Sequence, residues 1–125
     1  MTDHTRAWEP VLPGDTPAPL GNYSPAVRAG DFLYVSGQVP GDPEKDVADQ
    51  TRQVLAKLEG VLRSAGASLD DVVSVNAYLA DIGDWAEFNR AYGEVFRPPY
   101  PTRTTVGAQL VGVRVEISAV AYLPR

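Results

Sequence analysis

A chain of 125 residues fits one domain, with enough length for a hydrophobic core. Hydrophobic residues make up 44% of it and charged residues 22%, while a formal net charge of −5 argues against a general phosphate-gripping surface for nucleic acid. Cysteine is absent and histidine occurs once, at His4, so thiol nucleophiles, disulfides and thiolate metal sites are ruled out, and any histidine relay or metal centre would depend on His4 alone.

Residues 1–21 carry prolines at 10, 13, 17 and 19 and glycines at 14 and 21, which suits an extended arm better than a helix or an inner strand. The arm lacks the apolar core of a signal peptide, and no apolar run approaches bilayer length, so the expected location is the cytoplasm. Residues 22–125 read as a single domain. AVRAGDFLYVSGQV, from Ala26, predicts two short strands joined by a three-residue loop, Ala29-Gly30-Asp31. After Pro40-Gly41-Asp42-Pro43, the apolar positions Val47, Val54, Leu55, Leu58, Val61 and Leu62 recur at helical spacing. They predict a helix over about 45–65, with Gly66 at its end. Ser68 and Asp71 have the spacing of a capping box around a short turn. VVSVNAYLA, Val72 to Ala80, alternates as a strand. DIGDWAEFNRAYGEVF predicts a second helix with Asp84 as N-cap and Trp85, Phe88, Tyr92, Val95 and Phe96 along one stripe. Pro98 and Pro99 stop it. Two strands, about 104–110 and 113–122, close the chain and meet near Val111-Gly112.

The order is β-β-α-β-α-β-β, an α+β layer of two helices on a mixed sheet. In the last strand Val113, Val115, Ile117, Ala119 and Ala121 share one face, while Val120 and Tyr122 lie on the other with Arg114, Glu116 and Ser118. Two helices cover one face of such a sheet. Apolar side chains on the other cost about 25 cal/mol per Å2 if left wet, so association through that face, in a closed symmetric oligomer, is expected.

The residues that could carry chemistry are few. Arg103 sits between a proline-rich loop and a strand, with no acidic residue within five positions on either side. Either it points into water or its partner is an anion from outside. Glu116 lies mid-strand among apolar residues, either in an edge ion pair or held where poor hydration favours proton uptake. VSGQ, Val35 to Gln38, offers a hydroxyl, a glycine and an amide. It fits a β-bulge as well as a close approach to a ligand. Tyr23 lies in the turn-like GNYSPA, either capping the core or lining a pocket, and Asn89 lies beside the apolar stripe of the second helix.

Taken in order, PLGNYSPAVRAGDFLYVSGQVP, DQTRQVLAKLEGVLRSAGASLDDVVSVNAYLAD, FNRAYGEVF, PTRT and VEISAVA resemble the RidA/YjgF family of imine deaminases, over roughly residues 20–122. The resemblance implies a chorismate-mutase-like fold assembled as a homotrimer with active sites in the clefts between subunits. It implies hydrolysis of reactive enamines and imines, such as 2-aminoacrylate and 2-iminopropanoate, to 2-oxo acids and ammonia, with no cofactor or metal. It places Arg103 on the substrate carboxylate and Glu116 on the attacking water, with Tyr23, Ser36 and Asn89 in the pocket and the backbone at Gly37 and Thr105 close to the ligand. The chain departs from the family pattern in a shorter segment after VSGQVP, in a shorter link from Arg103 to Glu116 without Leu-Pro, and in Thr104-Thr105 after the arginine. These departures bear on the pocket wall and leave the substrate open. Alternatives are a pathway-specific enzyme for a larger enamine, or a non-enzymatic trimer that binds metabolites or shields unfolded chains. Ribonuclease activity, associated with some relatives, fits poorly with the acidic balance and the single histidine.

Overall fold

Local sequence rules account for most of the elements in the computed structural model, which describes residues 6–11, 19 and 21–125. His4 and most of the expected arm lie outside those residues. Along the described chain run β1 (Glu9–Val11), β2 (Ala26–Ala29), β3 (Phe32–Gln38), α1 (Val47–Ser64), β4 (Val72–Leu79), α2 (Trp85–Tyr92), β5 (Thr102–Gly107) and β6 (Val115–Tyr122). Short 3-10 turns precede β4 and α2.

α1 begins where the Asp46 carboxylate accepts from Asp49 N at 2.9 Å, satisfying one of the free amides of the first turn. It ends in a Schellman motif. Ala67 N donates to Leu62 O and Gly66 N to Arg63 O, with Gly66 at φ +82°, where a side chain would be strained. Ser68 and Asp71 form the expected capping box. Gln50 is fully buried in α1, donating to Pro43 O and Lys45 O and accepting from Arg114 N. That amide ties the loop before α1 to the residue just before β6.

The strands form one sheet in the order β1-β2-β3-β6-β4-β5, antiparallel except for the parallel pair β4·β5. Both helices lie on one face, over a core that includes Leu33, Leu55, Leu58, Val75, Leu79, Phe88, Val115 and Ile117. The other face carries Phe32 against Tyr122, ring centroids 5.4 Å apart, with Tyr34 opposite Val120. Phe32, Tyr34 and Tyr122 are between 41% and 50% exposed, so this face is uncovered in one chain. Among the described residues no helix is long and apolar enough to cross a membrane.

Three expectations are corrected and one strand is added. The β2–β3 hairpin turns in two residues, not three, because Ala29 pairs with Phe32 and Gly30 takes φ +60°, a value suited to the first position of a II′ turn. Part of the arm is a strand: Glu9–Val11 pairs with β2 at the sheet edge. α2 stops at Tyr92, and Asp84 makes no side-chain cap bond. Asp81 instead accepts from Gly83 N, at the start of the 3-10 turn. Finally, β5 and β6 do not adjoin at Val111-Gly112. β4 lies between them, and β5 forms the edge.

Candidate active site

β5 runs along the sheet edge, and its register decides where its side chains go. Arg103 stands beside Val75, a core residue, so its side chain turns to the helical face. There the aromatic stripe of α2 meets it. The guanidinium carbon lies 4.5 Å from the Tyr92 ring centroid, 5.2 Å from Phe88 and 5.7 Å from Trp85. Rings at these distances attract a cation through their quadrupoles while leaving its N–H edge free for hydrogen bonds. Tyr92 is itself fixed by stacking on Phe96, centroids 4.7 Å apart.

One Arg103 amine, Nη2, donates to Asn89 Oδ1 at 2.9 Å. That acceptor is neutral, and no described carboxylate lies within ion-pair distance of Arg103. Other cations of the chain are differently placed: Arg52 is paired with Asp49 and Glu94, and Arg63 with Glu59. A cleft of about 400 Å3 opens at this point, lined by Asn89, Tyr92, Gly93, Tyr100, Pro101 and Arg103. Two hydroxyls near it, Tyr92 OH and Thr105 Oγ1, are buried with no hydrogen-bond partner among the described residues. Burial pushes the Tyr92 phenol above its ordinary range, against the opposing pull of the Arg103 charge. It therefore stays neutral beside the guanidinium.

Glu116 belongs to a second cluster. It sits on β6 between buried Val115 and Ile117 and pairs with Tyr78, so its side chain is on the uncovered face. Its carboxylate lies directly on the backbone of Gly37, so close that a Cβ there would come within 2.2 Å of Oε2. Ser36 Oγ donates to Ser24 O at 2.6 Å, next to Tyr23, which is 54% exposed. No described residue gives the Glu116 carboxylate a hydrogen bond or an ion pair.

The residues singled out from sequence therefore fall into two groups. Arg103, Asn89 and Thr105 lie on the helical side of the β5 edge, and Glu116, Ser36 and Gly37 lie at the β3–β6 seam, with Tyr23 joined to it through the turn. β4 separates β6 from β5, a lateral distance of about 10 Å at normal strand spacing, and the two charged groups point to opposite faces. One chain does not bring them together. Sequence reading missed the aromatic cradle. Trp85, Phe88 and Tyr92 were legible as a helical stripe, but nothing local says that an arginine from β5 lies against it.

The architecture and sequence both have known counterparts. Residues 13–123 match the family model described as Endoribonuclease L-PSP. A RutC family protein of Pyrococcus horikoshii is 41% identical over 122 residues, covering 91% of this chain and 97% of its own. The solved yeast structure YEO7 superposes with a TM-score of 0.87 at 36% identity, covering 94% of this chain and 99% of that one. A member of the conserved Rid protein family from Yersinia pestis does so with a TM-score of 0.86 at 32% identity, covering 94% and 100%. The chain belongs to the Endoribonuclease L-PSP family, the YjgF/RutC/Rid group.

Proposed function

We propose that the chain is a cofactor-free deaminase that hydrolyses 2-imino and 2-enamino acids of the 2-iminopropanoate and 2-aminoacrylate type to 2-oxo acids and ammonia. We further propose that it works as a homotrimer, in which Arg103 of one copy and Glu116 of a neighbour build each site. The observation that carries this reading is the state of Arg103: held over aromatic rings, bonded to a neutral amide, and lacking a carboxylate among the described residues. A substrate carboxylate completes it with two parallel charge-assisted hydrogen bonds, which fix both position and plane.

The chemistry then asks little more of the protein. The iminium carbon is already electrophilic. Glu116 accepts a proton from water as the water oxygen bonds to that carbon, giving a tetrahedral carbinolamine. Returning that proton to nitrogen, while the carbinolamine hydroxyl gives its own proton to the freed Glu116 carboxylate, lets the C–N bond break, releasing ammonia and leaving the 2-oxo acid. An enamine enters the same route after protonation at carbon. A positioned carboxylate of this kind contributes about a hundredfold to ten-thousandfold.

The test is to generate 2-aminoacrylate enzymatically and follow its decay with and without the protein. Wild type accelerates the decay, and Arg103→Ala lowers kcat/KM by about a hundredfold. Equal acceleration by both proteins sinks the reading. The family description names an endoribonuclease. RNA cleavage that survives stringent purification, with no imine hydrolysis, would replace the proposal by that activity.

A further inference from the structure

β3 is not a regular strand beside β6. Its pairing runs from Val35↔Ala119 to Gln38↔Ile117, so Ser36 and Gly37 together stand opposite the single residue Ser118. The backbone does not by itself require glycine at this bulge. Positive φ angles among the described glycines belong to Gly30, Gly66 and Gly112. What requires it is space. A Cβ on Gly37 would lie 2.2 Å from Glu116 Oε2, 2.9 Å from its Cδ and 3.1 Å from its Cγ. The carboxyl end of Glu116 fills the volume that any other residue at 37 would occupy.

The bulge is fastened from behind. Ser36 N donates to Pro25 O at 2.9 Å, Ser36 Oγ to Ser24 O at 2.6 Å, and Gln38 Nε2 to Ser36 O at 3.0 Å. The hydroxyl hydrogen of Ser36 is thus committed to the chain's own carbonyl. With no described hydrogen bond or ion pair to Glu116, contact with the Gly37 backbone is what locates the carboxylate.

We infer that the VSGQ bulge is a seat for Glu116: Gly37 is a positioning residue that sets where the carboxylate lies, and Ser36 holds the seat. The inference rests on the reading of Glu116 as the group that holds the attacking water. It differs from that reading in being decidable without activity.

Gly37→Ala is the direct test, because the atoms it would strike belong to the far end of a flexible side chain. The variant folds and the carboxylate moves. Crystal structures of wild type and G37A show the Glu116 carboxylate displaced by about 1 Å or more, and kcat for imine hydrolysis falls about a hundredfold. A carboxylate that keeps its place in G37A overturns the inference. So does one that moves while kcat stays within about twofold of an active wild type. If wild type hydrolyses no imine, the function is what has failed, and the seat stands or falls on the two structures. If G37A does not fold, adding Glu116→Ala empties the seat: restored folding supports the inference, and continued failure to fold overturns it.

Discussion

Asn89 shows how a single atom decides whether Arg103 can receive an anion. Its Oδ1 accepts from Nη2 at 2.9 Å and fixes the guanidinium without neutralising it. Replacing that amide by a carboxylate of the same shape gives the arginine a resident partner in the same geometry. Asn89→Asp therefore keeps the fold, while pyruvate affinity, measured by calorimetry, falls about tenfold to a hundredfold, the worth of a hydrogen bond to a charged group. Unchanged affinity would mean that the anion binds elsewhere. The family resemblance put Asn89 in the pocket, but its bond to Arg103 was not visible in the sequence, where it is one polar residue beside an apolar stripe. The isolation of Arg103 from acidic neighbours was visible. What the chain order could not supply was the face to which a strand side chain turns, since alternation fixes relative direction and the absolute direction comes from register.

At the scale of elements, two links hold α1 in place and differ sharply in worth. Arg52 bridges Asp49 and Glu94, the turn after α2, at 2.6 and 2.8 Å, and bonding to Arg52 draws the Glu94 carboxyl below its usual range. A depressed carboxylate stabilises above its unfolded pKa, and the contribution is lost as pH falls through the folded one. These side chains are solvated, so the clamp adds little. Gln50 is the opposite case. Its side chain is fully buried, and losing its three hydrogen bonds leaves Pro43 O, Lys45 O and Arg114 N without that partner. Gln50→Leu is predicted to cost about 3 kcal/mol in urea unfolding at fixed protein concentration, and Arg52→Ala much less. Equal costs would contradict this ranking. The end of α1 and the short turn after it were legible because Gly66 and the Ser68–Asp71 box act through local backbone chemistry, whereas the Asp46 cap was not singled out. The place of β5 was not: Val111-Gly112 offers the same turn chemistry to a hairpin as to a crossover, and only long-range pairing with β4 decides between them.

At the scale of the whole molecule, the sheet face bearing Phe32, Tyr34, Val120 and Tyr122 has no cover in one chain, as counting two helices against one sheet anticipated. That same face carries Glu116, whereas Arg103 lies at the β5 edge on the other side. An assembly that buries the open face between copies is therefore also one that can bring the carboxylate of one copy toward the guanidinium of the next. This makes a specific demand on mixtures. Arg103→Ala and Glu116→Gln are each predicted to lose about a hundredfold or more in activity as pure oligomers, but a hybrid holds some seams at which both native residues meet. With trimers formed at random from equal parts, about a quarter of the seams are intact, by the symmetry of a closed ring. The decisive measurement is imine hydrolysis after the two variants are unfolded together and refolded: recovery to about a quarter of the wild-type rate is predicted, and a mixture as inactive as its parents, with mixed oligomers verified by native mass spectrometry, would contradict the account.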